Sequence, residues 1–379
     1  MQPKGLSRKT VLAELKRIRE QDQRYDDGKI LCSMCTKPNP IAKKAYQMFF
    51  GSNLGDPGLF SGSVQLEKEV INQLATLLHA ENGVGFLVSG GTEANLLALL
   101  AARNMARVNQ PEVVLPKSTH FSFTKICNLL NLKPVYAGLD SSFKVDPSEV
   151  EKCISKNTVA IVGTAGTAEL GVVDPIDELS EIASRHSVYL HVDAAFGGLV
   201  IPFLNDANNN FDFCLESVKS LTVDPHKMGM AAIPAGGILF RDSKVLDFIK
   251  TETPYLTDEF QYTFIGTRTG ASAASAWSVF KSLGMEGFKK VVGDCMKTTK
   301  LFAGGLKNAG FKLVVEPTLN IIAFRSQNTK HVAEKLWERG WFVSYVPRYD
   351  CIRIIVMPHV KKQHAMTFLK DLSQIANGT

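Results

Sequence analysis

Lys227 stands behind Asp224-Pro225-His226 at the end of an apolar run, Leu221 to Val223, and Asp193 closes an earlier run, Val188 to Val192. An amine after one strand can hold an aldehyde as a Schiff base. A carboxylate after another can keep a heteroaromatic nitrogen protonated. That pair is what pyridoxal phosphate chemistry requires. A His-Lys dipeptide alone says little, and its weight comes from the groups around it.

Ser89-Gly90-Gly91-Thr92-Glu93-Ala94-Asn95 lies between a strand pattern and a helical pattern. Two glycines admit a ligand close to the backbone, and a helix start offers unpaired N–H groups to a phosphate. The Rossmann fingerprint is not met, because Gly83-x-Gly85 is followed by Val88 where a third glycine belongs. His120, in Thr119-His120-Phe121-Ser122, follows a run ending at Leu115 and could stack on a flat ring. The small and hydroxylated residues of Gly163 to Gly171 suit a ligand-admitting loop. Asp193 precedes Ala194, Ala195, Gly197 and Gly198, as if a flat object rested against bare backbone. His191 and Asp193 share a strand face, but a metal would need a third ligand and none presents itself. Cys32 and Cys35 lack a second pair or nearby histidines at ligand spacing, so they read as ordinary thiols.

These groups need a frame that brings strand ends together. From about residue 64 to 240 short apolar runs alternate with helical patterns. Leu66, Val70, Leu74, Leu77 and Leu78 mark a helix, and Phe86 to Val88 a strand. Further runs come at Val113 to Leu115, Val159 to Val162, Val188 to Val192 and Ser220 to Val223, with a helix over Pro175 to Arg185. Strands apolar on both faces, alternating with helices, predict an α/β fold with a mainly parallel sheet covered on both sides. All the loops named above would lie beyond the carboxyl ends of such strands. After about residue 285 a long helical pattern, Gly287 to Asn308, leads to a helix-and-strand alternation that reads as a smaller α+β domain. The expected division is 1–50, an N-terminal helical segment; 51–284, a large domain; and 285–379, a small C-terminal domain.

A chain of 379 residues can bury a sizeable core, and 45% hydrophobic with 21% charged residues is the balance of a globular protein. The net charge of +6 is scattered, which argues against a nucleic-acid partner. No apolar run reaches the roughly 18 residues of a membrane span. Residues 1–25 are rich in Lys, Arg and Glu and read as an amphipathic helix with Val11, Leu12, Leu15 and Ile18 on one face. Seven scattered cysteines fit reduced thiols, and the expected address is the cytoplasm.

Over nearly its whole length the chain resembles the fold-type I, pyridoxal phosphate-dependent (group II) amino-acid decarboxylases, and most closely the archaeal tyrosine/aspartate decarboxylases. The resemblance is carried by Asn53 to Gly58, Ser89 to Asn95, His120 to Ser122, Gly166-Thr167, His191 to Gly198, Asp224 to Gly229, Pro254 to Leu256, Gly266 to Arg268 and Arg353 to His359. It implies a large domain with a mainly parallel seven-stranded sheet, a smaller C-terminal α+β domain, and a homodimer with shared active sites. By the same resemblance Lys227 would carry the cofactor. Asp193 would face its ring nitrogen, Ala195 would lie beneath the ring and His120 above it. Thr167 would lie near the ring's edge. Gly91, Thr92 and His226 would hold the phosphate, with Gly266 and Thr267 reaching it from a second subunit. Tyr255 would return a proton to Cα, with Tyr262 in reserve, and Arg353 would bind the substrate carboxylate.

The activity this implies is α-decarboxylation of L-tyrosine to tyramine or of L-aspartate to β-alanine, feeding methanofuran or coenzyme A synthesis. The alternatives are an L-glutamate decarboxylase and a carbon–carbon lyase resembling sphingosine-phosphate lyase. Met230 to Ile233 are small and apolar and hint at room for a ring.

Overall fold

The computed structural model describes residues 1–204 and 210–377. Helix α1 (Arg8–Arg19) is capped by Ser7, whose hydroxyl accepts the Thr10 N–H at 3.2 Å. None of its residues is buried, so Val11, Leu12, Leu15 and Ile18 form an apolar face that no other described residue covers. Helices α2 (Pro40–Phe49) and α3 (Ser61–Leu77) follow, then strand β1 (Val84–Val88) and helix α4 (Gly91–Ala106). The alternation continues through β2 (Glu112–Pro116), α5 (Ser122–Leu130), β3 (Lys133–Ala137), α6 (Pro147–Cys153), β4 (Thr158–Thr164), α7 (Ile176–His186), β5 (Tyr189–Asp193), β6 (Val218–Val223) and β7 (Gly236–Phe240).

These seven strands form one sheet in the order β1-β7-β6-β5-β4-β2-β3. All run the same way except β7, which is antiparallel to both of its neighbours. Strands β2 and β5 are buried at every position, as the continuous apolar runs predict. Leu99, Phe123, Ile126 and Leu130 of α4 and α5 cover one face, packing on Val113, Leu115 and Val162. Leu74, Ile176, Leu179 and Phe280 cover the other, against Ile161, Leu190 and Val192. Each large apolar side chain so buried contributes roughly 1.5–3 kcal/mol.

Among the strands of this sheet and the helices between them, β3, β7, α5 and α6 escape the sequence reading. Strand β3 is partly exposed at the sheet edge and lacks a continuous apolar run. In β7 two glycines weaken the pattern, and both face close backbone. A Cβ at Gly236 would meet the Gly90 backbone at 2.4 Å, and one at Gly237 the Val223 carbonyl at 3.0 Å.

A short two-stranded hairpin, β8 (Thr251–Glu252) with β9 (Phe260–Gln261), stands off this sheet. Helix α8 (Gly270–Asn308) is broken at Gly284, where φ is 56°. Beyond it β10 (Lys312–Leu313), β11 (Ile321–Arg325), α9 (Thr329–Glu338), β12 (Ser344–Val346), β13 (Cys351–Ile355) and α10 (Lys362–Asn377) build an antiparallel sheet in the order β10-β11-β13-β12. Its core gathers Phe302, Phe324, Trp341, Ile352 and Phe368, and Leu31 from the far end of the chain joins it. Residues 29–39 form a strap. Leu31 pairs through its backbone with Phe342 and Ile355 (2.8 and 2.7 Å), and Asn39 N–H reaches the Met230 carbonyl at 2.9 Å.

Candidate active site

The carboxyl ends of β1, β2, β4, β5 and β6 open onto one cavity of about 310 Å³. Its walls come from the loops that follow those strands: Ser89 to Thr92, His120, Thr164 with Gly166 and Ala168, Asp193 with Ala195, and Asp224 with His226 and Lys227. Met34 enters from the strap. Five strand ends thus bring together groups spread over more than a hundred residues of sequence.

At the cradle, the Gly90 carbonyl accepts the Glu93 and Ala94 N–H groups and starts α4. The Gly91 and Thr92 N–H groups, in the first turn, have no partner within the helix. A side chain at Gly91 would crowd its neighbours: a Cβ there would lie 3.1 Å from Asp224 Oδ2 and 3.2 Å from the Ala195 Cβ. His226 Nδ1 accepts the Ala235 N–H at 3.1 Å, which puts the proton of the neutral ring on Nε2. Burial holds this imidazole below its ordinary pKa.

Lys227 Nζ lies 3.2 Å from Asp224 Oδ2, and His226 Nε2 lies 3.7 Å from the same oxygen. The other oxygen, Asp224 Oδ1, is buried without a partner among the described residues, as is the Thr164 hydroxyl on the cavity wall. Asp193 is 6% exposed. Its Oδ1 accepts the Ala195 N–H at 3.1 Å, and its Oδ2 accepts Asn95 Nδ2 at 2.9 Å. His120 Nδ1 accepts the Ser122 N–H at 3.3 Å and lies 2.9 Å from its hydroxyl, which fixes the ring at the cavity edge. Burial lowers its pKa as well.

A phosphorylated pyridine aldehyde fits this arrangement. The cradle offers helix N–H groups to a phosphate, Lys227 an amine to the aldehyde, and Asp193 a carboxylate to the ring nitrogen. Two buried polar atoms, on Thr164 and Asp224, await partners.

Lys227, Asp193, His120, Gly91, Thr92, Ala195 and His226 therefore meet in one cavity. Thr167 does not, and its expected place at the ring's edge is corrected. It is buried behind the loop, where its hydroxyl accepts the Val172 N–H at 3.2 Å and closes a turn with Gly171. Thr164 lines the wall instead. Sequence could not choose between two threonines in one small-residue loop.

Arg353 is half-buried just outside the cavity lining. Its guanidinium donates to the Ala168 carbonyl, to the Cys32 carbonyl at 2.9 Å and to the Ser344 hydroxyl at 2.8 Å. Its Nε has no partner, and burial lowers its pKa. Tyr255 is 86% exposed and Thr267 is exposed; neither they nor Gly266 line the cavity of their own chain. Tyr262 stacks on Phe86, with ring centroids 5.4 Å apart, away from the cavity. The segment bearing Tyr255 is tied to Asn53 to Gly58. Asp56 accepts from the Thr257 hydroxyl, and Thr257 Oγ1 accepts the Gly58 N–H at 2.8 Å.

Sequence reasoning passed over Asn95 and Met34 as site groups. Asn95 was visible only as the end of the glycine motif, and Met34 arrives from an irregular strap with no periodicity. Cys32 and Cys35 on that strap are free thiols, pushed up in pKa by burial. His191 turns its ring to Asn95 and Ser220.

Residues 61–327 match the pyridoxal-dependent decarboxylase conserved domain. The chain is 49% identical over 379 residues to an L-aspartate decarboxylase of Thermococcus kodakarensis, covering 98% of each chain. It is 47% identical to a probable L-tyrosine/L-aspartate decarboxylase of Methanosphaera stadtmanae, again over 98% of each. Among solved structures it is similar to a sphingosine-1-phosphate lyase of Burkholderia pseudomallei, with a TM-score of 0.92 and 26% identity, covering 100% of this chain and 92% of that one.

Proposed function

The chain belongs to the pyridoxal-dependent decarboxylase family and is a pyridoxal phosphate-dependent carboxy-lyase, and from that premise we propose that it removes the α-carboxyl group of L-aspartate or L-tyrosine. The observation that carries the reading is the convergence of Lys227, Asp193 and the α4 cradle on one cavity. When bound, the cofactor supplies an electron sink for the pair released as carbon dioxide leaves. The protein's own groups do the rest. Lys227 would hold the cofactor's aldehyde through its amine. Asp193 holds a proton at the ring nitrogen, opposite the developing negative charge. His120 and Ala195 would flank the ring, and Gly91, Thr92 and His226 would hold its phosphate. Arg353, half-buried and without a carboxylate partner among the described residues, would orient the substrate carboxylate, as a guanidinium does bidentately.

Protonation of Cα is assigned to Tyr255, delivered from a second copy of the chain. Its exposure, the hydrogen bond from Thr257 in the same loop to Asp56, and the uncovered apolar face of α1 support a homodimer in which Gly266 and Thr267 also reach the neighbouring site. The division into residues 1–50, 51–284 and 285–379, cytoplasmic residence, and a product used for coenzyme A (β-alanine) or methanofuran (tyramine) belong to the same proposal. The fold likeness to a carbon–carbon lyase favours a second reading, cleavage of a phosphorylated amino alcohol, which the 49% identity to an L-aspartate decarboxylase outweighs.

The test is direct. Reconstituted enzyme is incubated separately with L-aspartate, L-tyrosine, L-glutamate and a sphingoid phosphate, and carbon dioxide, amine and aldehyde are assayed. Carbon dioxide with β-alanine or tyramine is expected. Release of aldehyde from the phosphorylated base alone, or carbon dioxide from L-glutamate alone, would overturn the proposal.

A further inference from the structure

His191 is fully buried on β5, one pleat behind Asp193, and the chemistry above makes no use of it. Its Nδ1 lies 2.8 Å from the Ser220 hydroxyl and its Nε2 lies 3.0 Å from Asn95 Oδ1. Asn95 in turn donates from Nδ2 to Asp193 Oδ2 at 2.9 Å. Ser220 and Asn95 are buried as deeply as the histidine.

The direction of every donor follows from the end at Asp193. An ionised carboxylate only accepts, so Asn95 must turn its amide nitrogen toward it. Its carbonyl oxygen then faces His191, which fixes the imidazole proton on Nε2. Burial keeps the ring neutral at ordinary pH, with its pKa lowered to about 4, so Nδ1 is bare and accepts from the Ser220 hydroxyl. Thr222 adds a second donor to Asn95 Oδ1 at 2.6 Å and holds the amide against flipping. A flipped amide would set its oxygen against the carboxylate and its N–H against the donors of His191 and Thr222.

We propose that Ser220, His191 and Asn95 form a one-way hydrogen-bond chain that polarises and orients Asp193, making them positioning residues for the proton at the cofactor's ring nitrogen. Hydrogen bonds aligned in one direction in a dry interior reinforce one another. The chain also explains why a histidine sits in a fully buried strand with no metal-ligand cluster among the described residues. The inference rests on Asp193 facing the ring nitrogen, and it does not depend on which amino acid is decarboxylated.

The experiment reads the cofactor without substrate. Apoenzyme is loaded with pyridoxal phosphate carrying nitrogen-15 in the ring, and the ring-nitrogen resonance and the cofactor dissociation constant are measured at neutral pH. Asn95→Leu and His191→Leu should move the resonance toward that of the neutral ring and weaken retention about ten- to a hundredfold, the effect of losing a hydrogen bond to a charged group. His191→Gln, which keeps an N–H donor for Asn95, should restore both. Ser220→Ala removes only the outermost donor; it should give a smaller shift of the same sign, and it decides the matter should the leucine variants fail to fold. Weaker retention with an unmoved resonance would mean a merely structural role and would overturn the proposal, as would variants indistinguishable from the parent. Loss of substrate turnover with the resonance unmoved would count against this hydrogen-bond chain alone and leave the assigned activity standing, whereas parent enzyme that releases no carbon dioxide yet shows the resonance moving in the variants would count against that activity alone.

Discussion

Glu93 binds Ile265 and Ser89 at once: its Oε1 accepts the Ile265 N–H at 3.0 Å and its Oε2 the Ser89 N–H at 2.8 Å. One buried carboxylate therefore joins the phosphate cradle to the outward loop that carries Gly266 and Thr267. Glu93→Gln keeps the shape but leaves one acceptor for two donors, and turns an amide N–H toward the other. The expected result is cofactor retention weakened about tenfold or more, the scale of a lost hydrogen bond to a charged group. Dialysis followed by absorbance of the retained cofactor measures it.

Asp193→Asn tests the ring-nitrogen partner. An amide can still touch the ring nitrogen, so the variant should hold cofactor measurably, but it cannot hold a proton there as a carboxylate does. Turnover should fall at least about 100-fold, the range found when one preorganised electrostatic contact is removed. Steady-state carbon dioxide release on saturated enzyme provides the check. Turnover close to that of the parent would refute the assignment.

Much of this was legible in the residues because parallel strands announce themselves. The largely apolar runs of β2, β4 and β5, with the short Leu221 to Val223 stretch of β6, are best satisfied by cover on both faces, and their carboxyl ends then have to share an edge. Lys227 and Asp193 sit at those ends, so their meeting followed from topology. The residues that were missed arrive differently. Met34 comes on a strap fixed by backbone pairing with Phe342 and Ile355, which leaves no side-chain pattern. The choice of Thr164 over Thr167 depends on how one loop turns, and spacing along the chain does not encode that. Strand β7 was hidden by Gly236 and Gly237, whose missing side chains reflect the close backbones of Gly90 and Val223.

Two buried groups should leave opposite marks on the pH dependence of stability. The His191 pKa is lowered to about 4 by burial, so its contribution is complete above pH 6.5 and is lost as the pH falls toward 4. Asp174, which accepts the Val145 and Thr164 N–H groups at 2.9 Å, is raised to about 6 by burial. Its ionised form costs stability above pH 6, and that cost is relieved as the pH falls toward 3.8. Each effect is on the order of 3 kcal/mol, so they nearly cancel between pH 4 and 6. Urea midpoints with saturating cofactor should show the parent gaining on Asp174→Asn by roughly this amount between pH 7 and 4. Against His191→Gln it should lose a similar amount over the same interval. A constant difference between parent and either variant would rule out the corresponding assignment.

Tyr255 gives the sharpest test of a site shared between two copies of the chain. At 86% exposure its phenol meets no hydrogen-bond partner among the described residues, while the loop beneath it is held by Asp56 and Gly58. A rigidly presented phenol suits a proton donor aimed at a neighbouring site, where Cα must be protonated in preference to the cofactor. Tyr255→Phe removes only the hydroxyl, so folding and cofactor binding should be unaffected. Amine formation should slow by about 10²-fold or more, within the range of general acid catalysis, and aldehyde should appear from decarboxylation-linked transamination. Mixing Tyr255→Phe with Lys227→Ala completes the argument. Each parent homodimer lacks one essential group at both sites, whereas a mixed dimer holds one site with Lys227 from one copy and Tyr255 from the other. Activity regained on mixing, up to about a quarter of the native level when subunits pair at random, would place the tyrosine across the interface, and no regain would confine it to its own chain.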